Sequence, residues 1–340
     1  MITKKTLSLK AIYRFSGQHL IWLVPWMLLI AAGYYFTHWR VFTLPWLPLS
    51  LVGTAVAFYV GFKNNQSYDR LWEARKIWGA IINNSRILGT MIKHFQAMEN
   101  KEASNMEEVK KQFIYRHIAY VYQLRSQLLE PTAWEHGSLA WIFGSFNRRR
   151  QQKILKNFHE ELDVVSHQAY LSKEEKNHLI SFSNIATHLL DKQTEVVQKL
   201  FQTERISAMQ QIELQRTINN IYEEQGKAER IKKFPLPRQY GGYGFVFVCI
   251  FVFLLPFGIV GEFSKLGDLY VWLSVPVGVI IGWIYVAMEM IGDYSENPFE
   301  GLPNDIPMLS ICRTIEIDLL QMIGEKDIPK PIGSKDDILF

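Results

Sequence analysis

The stretch AFYVGFKNNQSYDRLWEARKIW, Ala57 to Trp78, changes chemistry without changing course. Ala57 to Phe62 is apolar enough for hydrocarbon, and from Lys63 onward the residues are largely Lys, Asn, Gln, Asp, Arg and Glu. No proline separates the halves, and the last glycine before the change is Gly61. Beyond the boundary, Leu71, Ile77, Trp78, Ile81 and Ile82 recur at helical spacing. The pattern predicts one helix that leaves a bilayer and continues as a polar one.

The rest of the chain is sorted in the same way. Of 340 residues, 48% are hydrophobic and 21% charged, but the two kinds are segregated rather than interleaved as in a soluble domain of this length. Phe15–Trp39, Val41–Phe62, Gln239–Gly261 and Leu269–Met288 contain no Asp, Glu, Lys or Arg. Each supplies the roughly 20 residues that a bilayer-crossing helix needs. Trp22, Trp39, Trp46, Tyr270 and Trp272 gather towards span ends, as in an aromatic belt. The first block is long for a signal-peptide core and carries Pro25, so it is expected to stay as a span.

Lys4, Lys5, Lys10 and Arg14 precede the first span, and Lys63, Arg70, Arg75 and Lys76 follow the second, while the link between them offers only Arg40. The bias of basic residues puts both termini and the middle block in the cytosol, with two short outward hairpins. The expected fold is an all-α membrane protein. Residues 1–62 hold the first two spans, 63–238 a cytosolic helical region, 239–292 the third and fourth spans, and 293–340 a cytosolic segment packing on the helical region. Ser172 reads as an N-cap, and Met308 to Ile323 as an amphipathic helix. The charged stretch from Lys101 to Lys111 reads as solvent-facing and identifies no partner.

Enzyme chemistry finds no foothold. His159–His167, HEELDVVSH, has Asp163 where HExxH needs its second histidine. Cys249 and Cys312 form no metal-ligand or disulfide pattern, and NRRR at Asn147–Arg150 lacks aromatic partners for nucleic acid. No metal, cofactor or nucleic acid is expected. Polar residues inside the spans are few, chiefly Ser50, Thr54 and Ser274, whereas pumps and transporters bury ionisable groups at mid-membrane. A secondary transporter or proton-driven motor-type subunit is the competing reading, with Glu289 at the end of the fourth span as the carboxylate it would use. A non-conducting sensor is a third.

A pore remains. Thr54, Phe58 and Phe62 are spaced i, i+4, i+8 and share one helix face. Several copies around an axis would stack into a narrow collar in which an ion loses hydration. Aromatic edges favour an anion and faces a cation. Asn64 and Asn65, just past Phe62, would offer amide dipoles to an ion leaving the collar. Tyr68, Leu71 and Trp72 are expected to anchor the helix in the cytosolic bundle.

At this point the chain resembles a known family. GFKNNQSYDRLWEARKIWG at Gly61–Gly79 and ENPFEGLPNDIPMLSICRTIEIDLL at Glu296–Leu320 resemble the signatures of prokaryotic bestrophin channels. PLPRQYGG and FLLPFGIV resemble the approach to, and body of, their third span. The similarity covers most of the chain in order, with Gln96 to Gln202 least distinctive. It implies a homopentamer around one axial pore in a plasma membrane (the inner membrane, if bacterial), passing small monovalent ions, chloride ahead of sodium. Thr54, Phe58 and Phe62 fall on the family's neck. Its second, cytosolic constriction falls on Ile206, with Met209 one turn away. Thr54 departs from an apolar neck and should be wetter. Glu300 and Asp305 are few carboxylates for the calcium site of eukaryotic members, so calcium gating is not expected.

Overall fold

The computed structural model describes residues 1–6, 8–94, 103–139, 141–167 and 170–340. Part of the charged stretch, Lys101 and Glu102, therefore lies outside the described residues, as does the start of the least distinctive segment. The described chain is helical, apart from isolated bridges of Ile338 with Ile2 and Lys335. Twelve α-helices follow in order: α1 (Leu9–Ser16), α2 (Leu20–Thr37), α3 (Trp46–Lys93), α4 (Ala103–Leu128), α5 (Trp141–Asn157), α6 (His159–His167), α7 (Lys173–Leu179), α8 (Ile185–Gln202), α9 (Ala208–Lys233), α10 (Arg238–Ser264), α11 (Ser274–Asp293) and α12 (Met308–Met322). They divide into a span unit, Lys4–Leu71 with Pro235–Asn297, and a helical unit, Met1–Thr3 with Trp72–Phe234 and Pro298–Phe340. α3 is one uninterrupted helix of 48 residues and contributes to both.

In the span unit four helical segments are long and apolar enough to cross a membrane: Leu9–Thr37, Arg40–Lys93, Arg238–Ser264 and Asp268–Asp293. Leu23 and Met27 of α2, Val56 and Val60 of α3, and Val252 and Leu255 of α10 meet in its core. Pro256 lies inside α10, where it removes one backbone donor and disturbs the ladder around it. The carbonyl that loses its donor is that of Val252, four residues back. Two other carbonyls of α10 take donors from outside the helix. The Trp26 indole donates to the Phe253 carbonyl at 3.2 Å while its ring stacks on Phe253 at 4.8 Å, and the Leu44 N–H donates to the Phe257 carbonyl at 3.0 Å.

In the helical unit α4 is central, packing against α8, α9 and α12. Trp78, Phe113, Ile114, Leu190 and Ile315 are fully buried there. Helix starts are capped as their sequences dictate: Ser172 accepts from the Glu175 N–H at 3.1 Å, Asn184 from the Thr187 N–H, and Ser207 and Gln210 form a capping box at the head of α9. In the Pro298–Asp305 loop Phe299 is buried with φ +74°, a left-handed backbone unusual for a residue with a Cβ. Asp305 holds that turn, accepting from the N–H groups of Phe299 (3.0 Å), Gly301 (2.8 Å) and Ile306 (2.7 Å).

His117 on α4 has no exposed surface, and its Nε2 lies 2.9 Å from the Ser85 hydroxyl of α3. Burial pushes its imidazole down to about 4, with a weaker opposing effect of Gln193. The unfolded chain would take up this proton near pH 6.5, earlier than the folded one. This residue's contribution is therefore present above pH 6.5 and is lost as pH falls towards 4, by about 3 kcal/mol in all. Unfolding midpoints in detergent between pH 7 and pH 4.5 should fall more steeply for the wild type than for His117→Gln; equal slopes would contradict this assignment.

Candidate functional site

Within the span unit α3 has two faces. Gly53, Val56, Val60, Lys63 and Ser67 recur at helical spacing and are buried. On the other side Leu47 (71% exposed), Leu51 (65%), Phe58 (66%) and Phe62 (65%) form an uncovered seam with Thr54 among them. Nothing among the described residues covers this face. The Thr54 hydroxyl donates to the Ser50 carbonyl at 2.9 Å, which leaves its oxygen lone pairs to accept from outside.

Contacts on the buried face fix which residues turn outward. A Cβ on Gly53 would stand 2.7 Å from the Phe251 ring, and the Gly53 carbonyl accepts from the Tyr285 hydroxyl at 3.0 Å. One and a half turns on, the Tyr59 hydroxyl donates to the Tyr240 carbonyl at 2.9 Å. The Lys63 ammonium then pairs with Glu289 of α11, with both side chains buried, at 1% and 7% exposure. Exposed ion pairs such as Lys192–Glu195 are worth at most about 1 kcal/mol, whereas removing one partner from a buried pair costs about 3–5 kcal/mol. Glu289 is thus the buried partner of Lys63 rather than an isolated carboxylate of the kind a transporter would titrate.

Several expected positions stand elsewhere. Asn64 is half-buried: its Nδ2 donates to the Met288 carbonyl at 2.9 Å and its Oδ1 turns towards Gly292, so its amide is engaged by α11. Asn65, one residue on, is exposed and continues the Phe62 face. Asp69, seven residues past Phe62, lies on that face too and is exposed, as the same helical spacing allows. Tyr68 and Trp72 are 55% and 44% exposed and Leu71 is half-buried, while Ser67, Ala74, Ile77 and Trp78 are the buried residues there. Arg70 donates to the Glu296 carbonyl at 2.8 Å, and Glu73 pairs with Arg230 at 2.6 Å.

In the helical unit Ile206 is only 2% exposed. As the residue before the Ser207 N-cap it turns into its own subunit and has no surface left to offer a lumen. In the first turns of α9 the open apolar side chains are Met209 (78% exposed) and Ile212 (56%). The two carboxylates compared with a calcium site have other work: Asp305 holds the backbone turn, and Glu300 accepts from the His136 N–H at 3.3 Å with the ring Nδ1 3.0 Å away. Burial raises the Asp305 carboxyl above its usual range, and the three backbone donors oppose that. No group of three His, Cys, Asp or Glu side chains suited to a metal comes together among the described residues.

Comparison with known proteins gives a consistent picture. Residues 11–321 match the family model described as bacterial/fungal bestrophin protein. The chain is 28% identical over 313 residues to the voltage-dependent anion channel-forming protein YneE of Escherichia coli K12, covering 92% of this chain and 84% of that protein. A similarly named protein of Nostoc, alr2987, is 26% identical over 255 residues, 75% of this chain and 70% of that one. The crystal structure of a bacterial bestrophin homolog from Klebsiella pneumoniae shares the fold, with a TM-score of 0.72 over 93% of this chain and 99% of that one at 21% identity.

The hold of α11 on α3 can be tested at Gly292. A Cβ there would lie 1.9 Å from Asn64 Oδ1 and 3.5 Å from the Asn64 Cα, so relief requires giving up the Asn64–Met288 bond. Gly292→Ala should lower stability by about 1–3 kcal/mol, the usual range for overpacking. Its thermal midpoint in detergent should therefore fall by several degrees; an unchanged midpoint would mean that α3 is not held there.

Proposed function

Because the chain belongs to the bacterial and fungal bestrophin family, we propose that it assembles as a homopentamer in a cell membrane and acts as a passive channel for small monovalent ions, anions foremost. The observation that carries this reading is the uncovered seam of α3, where Thr54, Phe58 and Phe62 stand open on a helix whose opposite face is packed. Five such seams turned to a common axis would bury their apolar surface and make a collar. A dry collar of phenyl rings binds no ion tightly, which suits conduction rather than pumping. Rings held edge-on present their positive rim to an anion. The relatives named anion channel-forming proteins support that choice.

Asn65 would line the widening below the collar. Met209, rather than Ile206, would supply the apolar constriction in the helical unit, since it is the more exposed of the two open apolar side chains at the head of α9. One observation favours a second reading. Asp69 is exposed on the Phe62 face, and five copies would form a ring of carboxylates that favours cations.

The deciding experiment is a planar-bilayer recording of purified protein under a potassium chloride gradient. The anion reading expects the reversal potential to move towards the chloride equilibrium value; movement towards the potassium value would select the Asp69 reading. Phe58→Ala with Phe62→Ala should raise unitary conductance a few-fold by opening and wetting the collar. Wild-type currents left unaltered by both substitutions would remove these rings from the path.

A further inference from the structure

We infer that Lys63 and Glu289 are positioning residues of the conduction path: their buried ion pair sets the rotation of α3 that presents Phe62 outward. The inference rests on the channel reading above and concerns what holds the seam in place. Lys63 directly follows Phe62, so a rotation of the helix that withdrew the ammonium from its pocket would swing the ring away by the same angle. The pocket is built for this pair. Gly244 of α10 forms its wall: a Cβ there would lie 3.2 Å from Lys63 Cδ and 3.3 Å from Glu289 Oε2. Glu289 Oε1 accepts from Lys63, while Oε2 is buried with no hydrogen-bond partner among the described residues.

The ammonium is therefore the contact that lets a carboxylate stay charged between α3, α10 and α11. Removing a charge from either side leaves the other buried and uncompensated, so the pocket selects one register of the helix. The hydrogen bonds nearest the pair on this face, from Tyr59, Tyr285 and Asn64, are neutral, and the charged Arg70, two turns on, donates to the neutral Glu296 carbonyl. Neutral bonds are individually weaker than charge-assisted ones and exchange more readily with water or alternative carbonyls. Phe62 is reached by no such bond of its own; its placement is inherited from the residue beside it.

The test separates register from folding. In a Cys249→Ala background, chosen because Cys249 is exposed while Cys312 is buried, Phe62→Cys is introduced in three versions of the full-length assembly. One keeps the pair, one carries K63M with E289M, and one carries the exchange K63E with E289K. Modification by a water-soluble methanethiosulfonate reagent is timed in nanodiscs, alongside assembly size and, without the cysteine, bilayer conductance. The methionine pair removes both charges and preserves apolar bulk, so it is expected to assemble. Its modification rate should drop by about an order of magnitude, as the outward-facing register becomes a minor state. The exchanged pair should restore the rate and the wild-type conductance. An unchanged rate in a correctly sized methionine variant would overturn the inference, as would failure of both double variants to assemble. Absence of wild-type current with a normal modification pattern would sink the channel reading instead and leave the positioning role standing.

Discussion

A helix that passes from hydrocarbon into water without a break must satisfy its own backbone throughout and can be steered only through its faces. Everything else in the span unit follows from how α3 meets that constraint. One face is committed to α10 and α11 through a glycine approach, two tyrosine hydroxyls reaching main-chain carbonyls, and a buried ion pair. The opposite face is left with leucines, a threonine and two phenylalanines that none of the described residues covers. Apolar surface of this extent on a helix wall calls for either lipid or other copies of the same chain.

The chemistry available on the open face explains why the proposed path would conduct instead of trapping its ion. Phenyl rings supply weak electrostatics and exclude water, while the Thr54 hydroxyl already donates its hydrogen bond to the Ser50 carbonyl and keeps only acceptor capacity. The strong charges nearby are withdrawn from the seam: Lys63 and Glu289 neutralise one another within the packed face, and Arg70 is taken by the Glu296 carbonyl. Asp69 stands apart as an open carboxylate on the seam itself. The balance between phenyl edges above and carboxylates below would then decide which sign of ion prevails.

Much of this was legible along the chain because it rests on local rules. Four uncharged blocks gave the spans, unbroken periodicity through Lys63 gave the continuous α3, and Ser172 announced the start of α7. The i, i+4, i+8 spacing picked out Thr54, Phe58 and Phe62, all of which are exposed. What escaped depends on partners far away in sequence. Lys63 and Glu289 are separated by 226 positions, and nothing local reveals that one neutralises the other. Asn64 looked like an open amide until Met288 and Gly292 claimed it. The family resemblance could not separate Ile206 from Met209, because the Ser207 cap turns the chain between them: one side chain goes in, the other out.

The most direct measurement is a cryo-electron microscopy map of the protein in lipid nanodiscs. The map should show five subunits around one axis, with the side chains of Thr54, Phe58 and Phe62 directed at a continuous aqueous path and Lys63 turned away from it. Density showing a single subunit, or an assembly in which those phenyl rings face lipid, would contradict this arrangement.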